Sequence, residues 1–153
     1  MMRFVSTRGK SPAVSLSEAI RAGAAPDGGL YLPEEQPTAD IDPALSLSEF
    51  AARFLAPFFE GDALEPDLAA ICTGAFTFPL EIVTLPDGRR ALELFHGPTG
   101  AFKDFGARFL MECLDRLGDP AHPLTVLAAT SGDTGGAVGC AAEGHGVSQL
   151  FFH

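Results

Sequence analysis

Lys103 sits in the segment HGPTGAFKDFG, His96 to Gly106, between Phe102 and Phe105 and behind the turn residues Gly97, Pro98 and Gly100. An amine is a nucleophile only without its extra proton, and desolvation disfavours the ammonium form. The flanking aromatics and the glycine and proline approach predict an amine pressed into a lined cavity, with the helical pattern starting at Asp104. Such an amine suits Schiff-base formation with an aldehyde cofactor, which is pyridoxal phosphate chemistry. The competing reading is a solvated cation on an apolar stem.

A second constellation lies downstream. LTVLAAT, Leu124 to Thr130, is a continuous apolar run that predicts a strand buried on both faces, and SGDTGG and AVGCAAEG follow it. That order reads strand, glycine turn, helix. Such a turn aims backbone N–H groups and a helix N-terminus at one point, an anion site for a phosphate or carboxylate. The hydroxyls of Thr130, Ser131 and Thr134 add donors. Taken alone, the same residues also serve as a plain connection. GDTGG is close to the GDSGG of chymotrypsin-like proteases, but Thr134 occupies the nucleophile position and no two-barrel strand pattern accompanies it. KDFG lacks the upstream loops of a kinase.

The elements that must position these residues form two regions. From Met1 to about Pro79 the reading is largely helical. Ser15 to Glu18 and Ser46 to Glu49 are capping boxes that open amphipathic helices, and DLAAICTGAF follows Pro66 as a third. APDGGLYLP, Ala25 to Pro33, carries the residues of an ordered turn. From Leu80 the period changes, with LEIVTL and RALELF as the strands of a hairpin closed by Pro86, Asp87 and Gly88. After Lys103, helical spacing puts Phe105, Phe109, Leu110, Leu114 and Leu117 on one core face.

Composition narrows the function classes. The chain has 153 residues, is 46% hydrophobic and carries a formal net charge of −10, enough to bury a core and opposed to nucleic-acid or anionic-membrane binding. No segment has the length and apolarity of a signal peptide core or a membrane span. Cys72, Cys113 and Cys140 are unpaired in spacing, and His96, His122, His145 and His153 show no metal-ligand pattern, so a reduced cytoplasmic protein without a metal is expected.

HGPTGAFKDFG, ATSGDTGGA from Ala129, STRG at Ser6 to Gly9 and APDGGLYLP together resemble threonine synthase, in the same order and over nearly the whole chain. The resemblance implies an enzyme, a pyridoxal-phosphate-dependent lyase acting on a phosphate ester. In such an enzyme Lys103 carries the cofactor as an aldimine. It also implies that Thr130, Ser131, Gly132 and Thr134 bind the substrate carboxylate and that Asp133 faces the ring hydroxyl side of the cofactor. The implied reaction converts O-phospho-L-homoserine and water to L-threonine and phosphate.

The fold expected is α/β: residues 1–79 as a small, mostly helical N-terminal unit, then residues 80–153 as the beginning of a truncated domain of the tryptophan-synthase-β-like type, fold type II. The family's chain is more than twice as long, so Gln149 to His153 is expected to be a buried strand of an unfinished parallel sheet. An uncovered sheet favours self-association. Two alternatives stay open: a related pyridoxal-phosphate enzyme such as a threonine synthase-like phospholyase, and a non-catalytic fragment or a subunit that needs the remainder in trans.

Overall fold

A computed structural model describes every residue except Pro120, His122, Pro123 and His153, and leaves the side chains of residues 150–152 undescribed. The expectation about His122 and His153 therefore lies outside the described residues, as does the burial of the last strand. The chain divides into two units, Met1–Cys72 and Thr73–His153.

In the first unit, β1 (Phe4–Ser6) pairs antiparallel with β2 (Tyr31–Pro33), Val5 opposite Leu32. This pair is absent from the largely helical sequence reading, because each strand is three residues long and the partners are far apart in sequence. Helix α1 (Leu16–Ala22) starts at the capping box of Ser15 and Glu18, in which Ser15 Oγ accepts the Glu18 N–H at 3.2 Å and Glu18 Oε2 accepts the Ser15 N–H at 2.8 Å. Helix α2 (Leu47–Phe59) starts at the equivalent box of Ser46 and Glu49. These bonds satisfy N–H groups that a helix start otherwise leaves without partners. They also hold the Glu18 and Glu49 carboxyls below the usual glutamate range, through the Ser15 backbone bond first in one and the Ser46 side-chain bond first in the other.

A short 3-10 turn (Glu65–Asp67) leads into helix α3 (Leu68–Ala75), whose Ile71 and Cys72 are fully buried. A buried carboxylate closes the unit. Asp62 Oδ2 accepts the Ser17 N–H in the first turn of α1 at 3.0 Å, Asp62 also accepts from the Ser17 hydroxyl, and Asp62 Oδ1 takes the Leu64 N–H at 3.0 Å.

In the second unit, β3 (Glu81–Thr84) and β4 (Arg90–Glu93) form the expected hairpin, Ile82 opposite Leu92 and Thr84 opposite Arg90. Helix α4 (Lys103–Leu117) begins one residue earlier than expected, with Lys103 as its first residue. Of its expected core face, Leu114 and Leu117 are buried and Phe105, Phe109 and Leu110 are half-buried; Asp104, Ala107, Met111 and Cys113 make up the rest of the buried set, and Phe105 packs on Phe78 edge to face, ring centroids 4.8 Å apart. Phe109 stacks on Phe76 at 5.9 Å. Arg108 fixes this aromatic layer by donating from Nε to Ala75 O and from Nη2 to Gly74 O, each at 2.7 Å, at the last turn of α3.

Strand β5 (Thr125–Ala129), helix α5 (Asp133–Ala141) and strand β6 (Ser148–Phe152) complete the unit, β5 and β6 pairing in parallel. The connection is the strand, turn, helix order of the sequence, with α5 packed on α4. Burial on both faces of β5 is overturned: its residues alternate between exposed and half-buried, and Leu127 is 66% exposed. A parallel strand becomes inaccessible only between two covering layers, and among the described residues β5 has one neighbouring strand and one packed helix.

Candidate active site

Helices α4 and α5 each begin with a residue of the expected site, Lys103 and Asp133. Lys103 Nζ lies 3.7 Å from Asp133 Oδ2 and 5.1 Å from the centre of the Phe102 ring. The lined cavity is not observed: the Lys103 side chain is 33% exposed, Phe102 is 61% exposed, and Phe105 has turned toward Phe76 and Phe78. The spacing that suggested two flanking aromatics puts them on different sides, because the helix starts between them.

The approach to Lys103 is a tight loop built on Asp104. This carboxylate is fully buried; Oδ2 accepts the Thr99 N–H at 2.9 Å and Oδ1 accepts the Thr99 hydroxyl at 2.7 Å. Gly97 presses against it, and a β-carbon there would lie 2.8 Å from Asp104 Cβ. Gly100 N–H to Gly97 O and Asp104 N–H to Ala101 O close the two successive turns. Sequence reasoning passed over Asp104 as the residue after the lysine. The sequence carried no signal for it, because position 104 lies off the expected apolar face and an acid in a first helical turn is ordinary.

Of the residues expected to bind a substrate carboxylate, Ser131, Gly132 and Thr134 are exposed at the start of α5. Thr130 Oγ1 accepts the Gly132 N–H at 3.2 Å and the Gly135 N–H at 3.1 Å, so this hydroxyl oxygen organises the turn itself. Lys103, Asp133 and the turn from Thr130 to Thr134 thus belong to two helix starts within one unit.

The hairpin makes a further grouping that linear spacing concealed. Glu81 stands opposite Glu93 in the β3–β4 register, and one ligand atom from each of Glu81, Glu93 and His96 lies within 4.8 Å of the others. His96 Nε2 is 2.7 Å from Glu93 Oε2, a contact that ties the end of β4 to the start of the lysine loop. The absence of a metal-ligand pattern among the histidines is thus a property of the linear sequence only. The three cysteines form no disulfide, and burial pushes the Cys72 thiol up to about 11, leaving it protonated and inert at neutral pH. Among the described residues, no helix is long and apolar enough to cross a membrane.

The mixed α/β chain resembles the N-terminal region of threonine synthases of known structure. Residues 3–76 match the family described as threonine synthase N terminus. Threonine synthase of Pseudomonas aeruginosa is 38% identical over 152 residues, covering 91% of this chain and 32% of that protein. Threonine synthase-like 2 of Rattus norvegicus is 37% identical over 151 residues, covering 89% of this chain and 30% of that protein. The crystal structure of pyridoxal-phosphate-bound threonine synthase from Brucella melitensis superposes with a TM-score of 0.86 at 37% identity, covering 99% of this chain and 35% of that one. The chain is homologous to the N-terminal part of threonine synthases and spans about a third of the length of these relatives.

Proposed function

We propose that this chain is the N-terminal part of a pyridoxal-phosphate-dependent threonine synthase, in which Lys103 is the amine that binds the cofactor. The observation that carries the reading is the meeting of Lys103 and Asp133 at 3.7 Å, where two helices begin. The donor set fits the cofactor: a reachable primary amine, an adjacent acid, and exposed hydroxyls and backbone at the start of α5. The chain has two lysines, Lys10 and Lys103, and only Lys103 is in this unit. When bound, pyridoxal phosphate supplies an aldehyde for an amine and a ring that takes up electron density from the substrate α-carbon.

Each residue then has its own task. Lys103 Nζ provides the attachment point and, once free, takes and returns a proton at the substrate α-carbon. Asp133 stands beside that amine and faces the ring hydroxyl side. The turn of Thr130, Ser131, Gly132 and Thr134 binds the substrate carboxylate at a helix N-terminus, which fixes the α-carbon relative to the amine. The substrate is O-phospho-L-homoserine, converted with water to L-threonine and phosphate. The chain is part of a cytoplasmic protein, consistent with three cysteines that form no disulfide. Residues 1–79 are its N-terminal domain, and residues 80–153 begin the tryptophan-synthase-β-like domain.

Incubation with pyridoxal phosphate, borohydride reduction and peptide mapping test the lysine. The phosphopyridoxyl label is expected on Lys103. Equal label on Lys10, or undiminished label in Lys103→Ala, would overturn the assignment. A second reading is a threonine synthase-like phospholyase. Product analysis of a protein carrying the whole family length separates the two: threonine and phosphate for the first, a 2-oxo acid with ammonia and phosphate for the second. A chain that takes no label at either lysine is a non-catalytic fragment that needs the remainder.

A further inference from the structure

We infer that Asp104 is a positioning residue for Lys103, holding the Gly97–Phe102 loop against the first turn of α4 so that the amine is presented toward Asp133. The inference rests on the assignment of Lys103 as the reactive amine. Lys103 is the first residue of its helix, and its N–H lies among those that no helical carbonyl reaches. Its direction is therefore set by what anchors the preceding loop. That anchor is one fully buried carboxylate, with each oxygen accepting from a different donor of Thr99. The Gly97 backbone packs against the same carboxylate without room for a side chain. The loop also links Lys103 to the hairpin through His96 and Glu93. A buried polar group with this geometry is costly to disturb, because its partners lose their bonds together.

The surface side of the same turn is loosely held. Lys103 keeps a third of its exposure and meets Asp133 across 3.7 Å, with Asp133 itself 74% exposed. Such a pair does not fix a long side chain by itself. Direction comes from the backbone beneath the lysine, and Asp104 sets that backbone.

Asp104→Asn replaces one acceptor oxygen with a donor facing Thr99, Thr99→Val removes only the hydroxyl, and Thr99→Ser keeps both donors. The chain carries its own reference, since Lys10 lies in the other unit. Two readouts are taken on each variant, with thermal melting to establish folding. The first is the ratio of Lys103 to Lys10 acetylation by limiting acetic anhydride. The second is the rate at which borohydride-trapped phosphopyridoxyl label accumulates on Lys103. In Asp104→Asn and Thr99→Val the acetylation ratio is expected to rise, as the amine leaves Asp133 and Phe102, while the label rate falls about tenfold, the scale of a small misplacement of a reacting group. Thr99→Ser restores both. A folded Asp104→Asn with native acetylation ratio and native label rate overturns the inference, and if that variant does not fold, the same result in Thr99→Val does so. Absence of label on the native chain overturns the cofactor reading instead, and the acetylation ratio then still decides whether Asp104 positions the amine.

Discussion

Lys103 Nζ and Asp133 Oδ2, 3.7 Å apart, join the first residue of α4 to the first residue of α5. Asp133 is 74% exposed, so this is a surface pair that contributes roughly 0–1 kcal/mol to stability. Asp133→Asn is therefore expected to leave the denaturation midpoint nearly unchanged while lowering the phosphopyridoxyl label on Lys103. A large loss of stability, or unchanged labelling in a folded variant, would contradict the role given to Asp133.

Two glycines near Lys103 respond oppositely to an added methyl. At Gly97 a β-carbon would lie 2.8 Å from Asp104 Cβ, and Gly97→Ala should destabilise the chain by about 1–3 kcal/mol through overpacking. Gly106 lies within α4 with open space around it, so Gly106→Ala should stabilise by up to about 1 kcal/mol. Urea unfolding of both variants checks the contrast, and equal effects would show that the loop does not press on Asp104.

Asp27 is expected to contribute to the acid response of the first unit. Ser6 Oγ donates to Oδ1 at 2.7 Å, the Gly29 N–H to the same oxygen at 2.9 Å and the Lys10 N–H to Oδ2 at 3.0 Å. These bonds, the Ser6 one above all, lower its carboxyl from 3.8 to about 2. A depressed carboxyl pKa contributes stability above the unfolded value, and that contribution disappears as pH falls through the folded value. Melting profiles recorded across pH 2 to 4 should therefore decline more steeply for the native chain than for Asp27→Asn. Parallel profiles would remove Asp27 from the acid response.

Leu127 on β5 is an apolar side chain that is 66% exposed. Sedimentation should show concentration-dependent association of the native chain, reduced in Leu127→Thr, as expected for an uncovered apolar surface. A monomer at every concentration would count against self-association.

What the sequence made legible was local. The capping boxes at Ser15 and Ser46, the turn at Asp87 and Gly88, and the strand, turn and helix around Thr130 are written within a few residues of one another, where hydrogen-bonding chemistry and backbone preference act directly. The pairing of Val5 with Leu32 depends on two three-residue strands that no periodicity marks. Phe105 and Phe109 fit an apolar stripe, yet the buried stripe runs through Asp104, Ala107 and Met111, because Thr99 satisfies a carboxylate that periodicity counts as polar. The meeting of Lys103 with Asp133 follows from the packing of α4 on α5, which is a tertiary fact.

The bond between Ser17 and Asp62 carries a consequence for synthesis on the ribosome. Helix α1 has seven residues, too few to persist alone in water, and the carboxylate that completes its first turn lies 45 positions later in the chain. The N-terminal segment must therefore wait, unsettled, until Asp62 has emerged from the exit tunnel. A pause in translation before that point is expected to prolong its exposure to proteases and chaperones, and a pause after it to spare it.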